Sequence, residues 1–147
     1  MASLKRSLPV VLGLALMLSV NGGAAGAPKA RDVCISSPTG GGTFNTFIIR
    51  NMETLSRGGA IALHGFYFST GARRLAPVHG SAMMGSDGAV RMGLFVHSTA
   101  ESLNDFTVAG VTDTNLVGTL SYDNDGDFRP NGTLAMEAVD CATIAIP

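Results

Sequence analysis

From residue 43 onward, short apolar segments separated by turn residues recur along the chain. Apolar and polar positions alternate within several of them; in one, Val90, Met92, Leu94 and Val96 would share a buried strand face. No long window repeats apolar residues at spacings of three and four, so helix is not expected. The pattern predicts about eight strands. They lie near 43–50, 59–69, 75–84, 89–98, 105–112, 115–122, 131–140 and 142–146.

The connections between these segments are rich in residues that favour tight turns. Ser86-Asp87-Gly88 and Asp123-Asn124-Asp125-Gly126 are two examples. Asp-Gly pairs tolerate the positive φ of short hairpin turns. Consecutive hairpins of this length predict an all-β fold, an antiparallel meander.

Glycines inside the predicted strands indicate how the sheet is shaped. They are Gly65, Gly80, Gly93, Gly110, Gly118 and Gly132. Glycine weakens a flat strand, and its repetition marks bends or close backbone approach, as at barrel corners. Closing the sheet also removes exposed edges. We therefore expect a small closed or nearly closed barrel, with a two-sheet β-sandwich as the alternative.

The N-terminus has the three regions of a secretory signal peptide: Lys5-Arg6, an apolar stretch over 8–20, and small residues over 21–27. The apolar stretch is shorter than the roughly 20 residues of a membrane-spanning helix. We predict removal of residues 1–25 by cleavage after Ala25. Residues 26–147 would then form a single all-β domain in the periplasm or outside the cell.

The two cysteines, Cys34 and Cys141, flank the predicted strands. In an exported chain they are expected to form a disulfide. The bond would join the two ends of the domain and fasten the seam of the barrel. Closing a loop of about 100 residues stabilises a fold by roughly 4 to 5 kcal/mol in the chain-entropy model.

The charge of the mature chain limits its partners. Removing residues 1–25 leaves 8 basic and 11 acidic residues, a net charge of −3. So mild and dispersed a charge predicts no nucleic-acid partner. Stable membrane insertion is not expected either, because two tyrosines cannot form the aromatic girdles of an outer-membrane barrel.

Two groups of residues invite a metal interpretation. His64, His79 and His97 fall on three consecutive predicted strands, but His97 would lie about two residues past the point opposite His79, roughly 7 Å along the strand. The carboxylates in the segment 123–127 do not fit a calcium-binding EF-hand in either possible frame, and a hairpin tip at Asp125-Gly126 explains the segment. We predict no metal and no cofactor.

No catalytic signature surrounds any serine, and no acid is placed to orient His79 toward Ser81. We therefore expect no enzymatic activity. The first functional hypothesis is an exported barrel that binds a small apolar ligand or an envelope protein. The alternative is a structural or interaction protein that self-associates through apolar outer surfaces, since only 14% of residues are charged.

Overall fold

The structure is a computed structural model that describes residues 30–40, 43–71, 74–97, 105–127 and 129–145. The predicted signal peptide and its cleavage site lie outside the described residues. Eight strands and one short 3-10 helix are present in the described ranges. The strands are β1 (Arg31–Gly40), β2 (Thr43–Met52), β3 (Ala60–Ser69), β4 (Arg74–Met84), β5 (Val90–Val96), β6 (Phe106–Thr112), β7 (Gly118–Asp123) and β8 (Gly132–Val139).

The strands form a closed barrel in which each pairs antiparallel with the next and β8 pairs with β1. The predicted meander and barrel are therefore confirmed, and the sandwich alternative is wrong. Within the described ranges, no helix has the length and apolar character needed to cross a membrane.

Two of the predicted strand assignments need correction. The segment 142–146 is not a strand where it is described, because Cys141–Thr143 form a 3-10 turn capped by Asp140, whose side chain accepts a hydrogen bond from the Ala142 amide at 2.9 Å. The eighth strand is instead β1, which the pattern did not predict. Ser36, Ser37 and Pro38 in β1 resemble a loop in sequence, yet both serines are buried in the structure.

The inward-facing side chains of all eight strands form one apolar core. The predicted face of β5, from Val90 to Val96, is part of it. At Ile35, Phe47 and Leu120 the accessible surface is 0%, so no water-sized space adjoins these side chains. The centre of the barrel is filled by protein.

One end of the barrel is closed by two residues from its loops. Leu55 and Leu116 are buried there against the core. Leu116 has a positive φ of 63°, and the preceding turn is held by Asp113, which accepts hydrogen bonds from the Asn115 and Val117 amides at 2.7 and 3.0 Å. We call this the capped end. The opposite end, where β1, β3, β5 and β7 finish, is called the mouth.

Glycine permits the close strand contacts that curl the sheet. A Cβ at Gly80 would overlap the carbonyl oxygen of Gly93, and one at Gly65 would overlap that of Ile48. Gly110 and Gly118 are similarly close to neighbouring backbone, and Gly132 is covered by the ring of Tyr122. Gly93 is the exception among the six predicted positions, because a Cβ there would meet nothing within 4 Å.

The predicted disulfide is present and lies at the seam. Cys34 and Cys141 are bonded with their Cα atoms 5.3 Å apart. Only three residue pairs join β1 to β8, from Cys34 opposite Val139 to Ser36 opposite Glu137. The covalent bond therefore reinforces the shortest ladder in the barrel.

Candidate functional site

A row of polar side chains faces inward at the mouth. Ser37 on β1 lies opposite Asn45 on β2, and Asn45 lies opposite Ser69 on β3. The neighbouring row toward the core consists of Ile35, Phe47 and Tyr67. We call Ser37, Asn45 and Ser69 the polar row. It lies next to the apolar core, on the side of the mouth.

Ser37 is the most buried member of the polar row, with 3% of its surface accessible. No hydrogen-bond partner for its side-chain hydroxyl is found in the part of the chain that the structure describes. Leaving a buried hydroxyl without a partner costs about 1 to 3 kcal/mol. Buried polar groups of this kind are rare in native proteins, so Ser37 calls for a physical explanation.

Tyr67 connects the polar row to the core. Its hydroxyl donates a hydrogen bond to the side-chain oxygen of Asn45, and Ser69 also bonds to it. Burial raises the pKa of Tyr67, and the hydrogen bond from Ser69 opposes this only in part. The phenol therefore remains protonated, and a donor, throughout the physiological pH range. Since the Asn45 oxygen accepts from Tyr67, the Asn45 amide nitrogen has no partner among the described residues.

An aromatic cluster forms the floor beneath the polar row. The ring of Tyr67 lies between those of Phe47 and Phe106, with centroid separations of 5.2 and 5.0 Å. Tyr122 and Phe106 pack against the core but remain partly exposed at the mouth. The mouth thus combines flat apolar surfaces with neutral hydrogen-bonding groups.

The three histidines are placed as predicted. His64 lies opposite His79, which lies opposite Phe95, so His97 is two residues beyond. All three are exposed on the outer surface. A search of the described residues does not group them as ligands for one metal ion.

His97 has a partner that sequence reasoning missed. Its Nδ1 lies 3.2 Å from a carboxylate oxygen of Asp105. Val96 pairs with Phe106, so His97 and Asp105 occupy the next position of the same hairpin. The predicted ends of these two strands contained enough information to find this pair. His79 and Ser81 do share the outer face of β4, but Asp105 contacts His97 and not His79.

The acidic segment forms a tight loop between β7 and β8. Carboxylate oxygens of Asp123, Asp125 and Asp127 lie within 4.8 Å of one another. Asp123 accepts hydrogen bonds from the amides of Asp125 and Gly126, and Gly126 has a φ of 77°. A hydrogen bond from the Asn131 side chain is the main cause that lowers the pKa of Asp125. Hydrogen bonds within the hairpin tip thus explain why these three carboxylates lie close together.

A shallow cleft of about 290 Å³ lies at the capped end beside the disulfide. Both cysteines line it, together with Arg31, Asp32 and Asp140. The charged groups are already engaged: Arg31 donates to the Asn115 side chain at 2.6 Å, and Asp32 pairs with Arg50.

The outer surface of four consecutive strands is nearly free of charge. We call it the β3–β6 face. Its outward-facing residues are Ala60, Ala62, His64, Phe66, Phe68, Leu75, Pro77, His79, Ser81, Met83, Arg91, Gly93, Phe95, His97, Asp105, Thr107, Ala109 and Val111. Arg91 and Asp105 are the charged residues among them, and Asp105 contacts His97. In the described residues, the large apolar side chains exposed to solvent are Phe66, Leu75, Met83 and Val111, and all four lie on this face.

Comparisons with known proteins find no relative. No family model, no curated protein and no solved structure matches the chain.

Proposed function

We propose that this protein is an exported, non-enzymatic interaction protein that associates with a second copy of itself through the β3–β6 face. The observation that carries the proposal is the collection of exposed large apolar side chains on one face. Contiguous apolar patches on a soluble protein are typical of interaction sites.

The charge of the β3–β6 face favours an identical partner. Lys and Glu, which are depleted at interfaces, are absent from the outward positions of the face, and Asp105 lies at its mouth end in contact with His97. Two copies related by a two-fold axis would bring the same patch together. Arg91 lies between Met83 and Val111 in the row nearest the capped end, and arginine, unlike lysine, is enriched at interfaces.

The relief of the β3–β6 face also suits self-association. A row of small side chains crosses the strands at Ser81, Gly93 and Ala109. Larger side chains flank it, with Met83 and Val111 on one side and His79 and Phe95 on the other. The larger side chains of one copy can therefore occupy the row of small side chains of the other.

The size of the face predicts a weak dimer. Four strands spaced at about 4.8 Å, with some seven residues at about 3.3 Å, span roughly 19 by 23 Å. This is small beside the roughly 800 Å² per partner of a standard stable interface. We expect a reversible, concentration-dependent association.

The packing of the core weighs against a ligand at the centre of the barrel. Ile35, Val90 and Val96 have 0% accessible surface, which leaves no space beside them for a small molecule. An apolar interior is also the reverse of the polar lumen of a membrane-spanning barrel. Both observations favour an interaction made by the outer wall.

Export is supported by the disulfide and by the pattern of the N-terminal residues. Disulfides persist in oxidising compartments such as the periplasm.

Sedimentation of the mature protein from micromolar to millimolar concentration tests the proposed association. We expect a reversible shift from monomer to dimer in the wild type. Phe66→Glu and Val111→Glu place a charge on the β3–β6 face and should leave a monomer. Thr133→Glu, on the outer wall of β8, is the matched control and should dimerise like the wild type. A monomeric wild type at millimolar concentration, or dimers that survive both face variants, would refute the proposal.

A further inference from the structure

The mouth of the barrel carries features that self-association through the outer wall does not use. We propose that the mouth binds a small neutral molecule that has a flat apolar body and at least one hydroxyl, amine or carbonyl group. The contacting residues are the polar row and Phe106, the partly exposed ring of the aromatic cluster beneath it. This site lies inside the barrel wall and is independent of the β3–β6 face.

The first support is the unsatisfied hydrogen-bonding capacity of the polar row. The Ser37 hydroxyl is buried and has no partner among the described residues, and the amide nitrogen of the half-buried Asn45 also has none there. A hydroxyl both donates and accepts, and an amide nitrogen donates twice. A ligand with one polar group can satisfy both residues, because Ser37 and Asn45 lie directly opposite each other.

The second support is the orientation imposed by Tyr67. Its hydroxyl is fixed by Asn45 and Ser69, so the Asn45 oxygen is occupied and its nitrogen is directed elsewhere. Because burial keeps the phenol protonated, this arrangement does not change with pH in the physiological range. The donors of the site are therefore fixed before any ligand arrives.

The third support concerns the apolar body of the ligand. Phe47, Tyr67 and Phe106 form a cluster with ring separations of about 5 Å, and Phe106 is partly exposed at the mouth. Aromatic rings favour edge-to-face or offset contacts with other flat rings. A flat apolar ligand can pack its ring against the exposed part of Phe106 and so continue the aromatic cluster.

The charge of the interior excludes charged ligands. At the inward-facing positions for which the structure describes side chains, none is charged. Moving an ion into such a site without a countercharge is strongly unfavourable. The ligand is accordingly neutral.

A pair of fluorescent probes tests the site. N-phenyl-1-naphthylamine is neutral, flat and carries one N–H, whereas 1-anilinonaphthalene-8-sulfonate has the same ring system with an added sulfonate. We expect saturable, one-to-one binding of the neutral probe to the mature protein, and at least about tenfold weaker binding of the sulfonate.

Two variants locate the binding. Ser37→Ala removes the unsatisfied hydroxyl and should weaken the neutral probe by about three- to tenfold, the effect of one hydrogen bond. Tyr67→Phe, which frees the Asn45 oxygen while keeping the ring, should also alter the affinity. Ser81→Ala on the outer wall is the control and should bind like the wild type, as should the monomeric Val111→Glu.

The proposal is wrong if the neutral probe does not saturate, if the sulfonated probe binds equally well, or if Ser37→Ala and Ser81→Ala are indistinguishable. Thermal unfolding of each variant shows whether it is folded. Loss of probe binding in Val111→Glu would place the probe on the outer wall and would also refute the mouth site.

Discussion

At the residue scale, the Asp32 carboxylate stabilises the end of β2 at the capped end of the barrel. Asp32 accepts a hydrogen bond from the Asn51 amide at 3.0 Å and pairs with the Arg50 side chain. Asn51 has a φ of 48°, an unusual conformation for a residue other than glycine. The Asn51 amide, followed by Arg50, lowers the pKa of Asp32 below its usual value. Asp32 therefore stabilises a turn in the chain where β2 ends.

The lowered pKa of Asp32 predicts a specific acid dependence. Its charged form stabilises the fold fully above the unfolded-state pKa near 3.8, and the stabilisation is lost as pH falls through the lower folded-state pKa. Asp32→Asn should lower the melting temperature modestly at pH 7, because the ion pair is exposed. Its stability should then fall less steeply than the wild type below pH 4. Glu53→Gln, at an exposed position, is the control, and parallel acid profiles for Asp32→Asn and wild type would contradict this role.

At the element scale, the curvature of the barrel depends on a few strand positions without side chains. Gly80 on β4 lies so close to the Gly93 carbonyl that a methyl group cannot fit, while Gly93 itself has open space at its Cβ position. The two residues are close neighbours on adjacent strands but face opposite sides of the sheet. Alanine at Gly80 adds a methyl group where there is no space, and alanine at Gly93 adds one where there is space. Comparing the two separates the steric effect of the methyl group from the effect of replacing a glycine in a strand.

Alanine at these two positions should have opposite consequences. Gly80→Ala should lower the free energy of unfolding by about 2 kcal/mol or more, because the strands must separate to accept the methyl group. Gly93→Ala should change it by no more than about 0.5 to 1 kcal/mol. Chemical denaturation at a concentration where the protein is monomeric measures both. Equal destabilisation by the two substitutions would show that close approach at Gly80 does not shape the barrel.

Strands in which apolar and polar residues alternate, or which contain interior glycines, could be predicted from the sequence. The first strand could not. The face from Val90 to Val96 follows a period of two because one side is buried and the other is exposed. On β1 that contrast is lost, since Cys34 and Ser36 on the outer side are as buried as Ile35 on the inner side. The strand that begins at Arg31 was therefore not predicted. Ile144 was assigned to a strand, but it follows a 3-10 turn.

The candidate site was less predictable than the fold. The stagger of the histidines followed from short turns, whose length fixes register. The polar row depends on the register between β2 and β3, which are joined by a longer connection that begins after Met52 and in which Leu55 is buried as a plug. It also depends on β1, and hence on Ser37, which the sequence pattern did not assign to any strand. Apolar outer surfaces were expected from the shortage of charge, but their location on β3 to β6 was not predicted.

At the scale of the whole molecule, the barrel is closed by a short ladder and one covalent bond. The three pairs between β1 and β8 are the fewest between any two neighbouring strands. The disulfide joins positions 107 residues apart, and the chain-entropy model assigns such a bond roughly 4 to 5 kcal/mol. A filled apolar core and a polar mouth both require that this closure be made. The proposed export would place the chain in an oxidising compartment in which the bond can form.

The intact mass of the protein recovered from its host, before and after reduction, tests this closure and its compartment together. The account predicts a chain that begins at Gly26 and in which neither cysteine is alkylated until the protein is reduced. A product that retains residues 1–25, or one in which Cys34 and Cys141 are both alkylated without reduction, would contradict it.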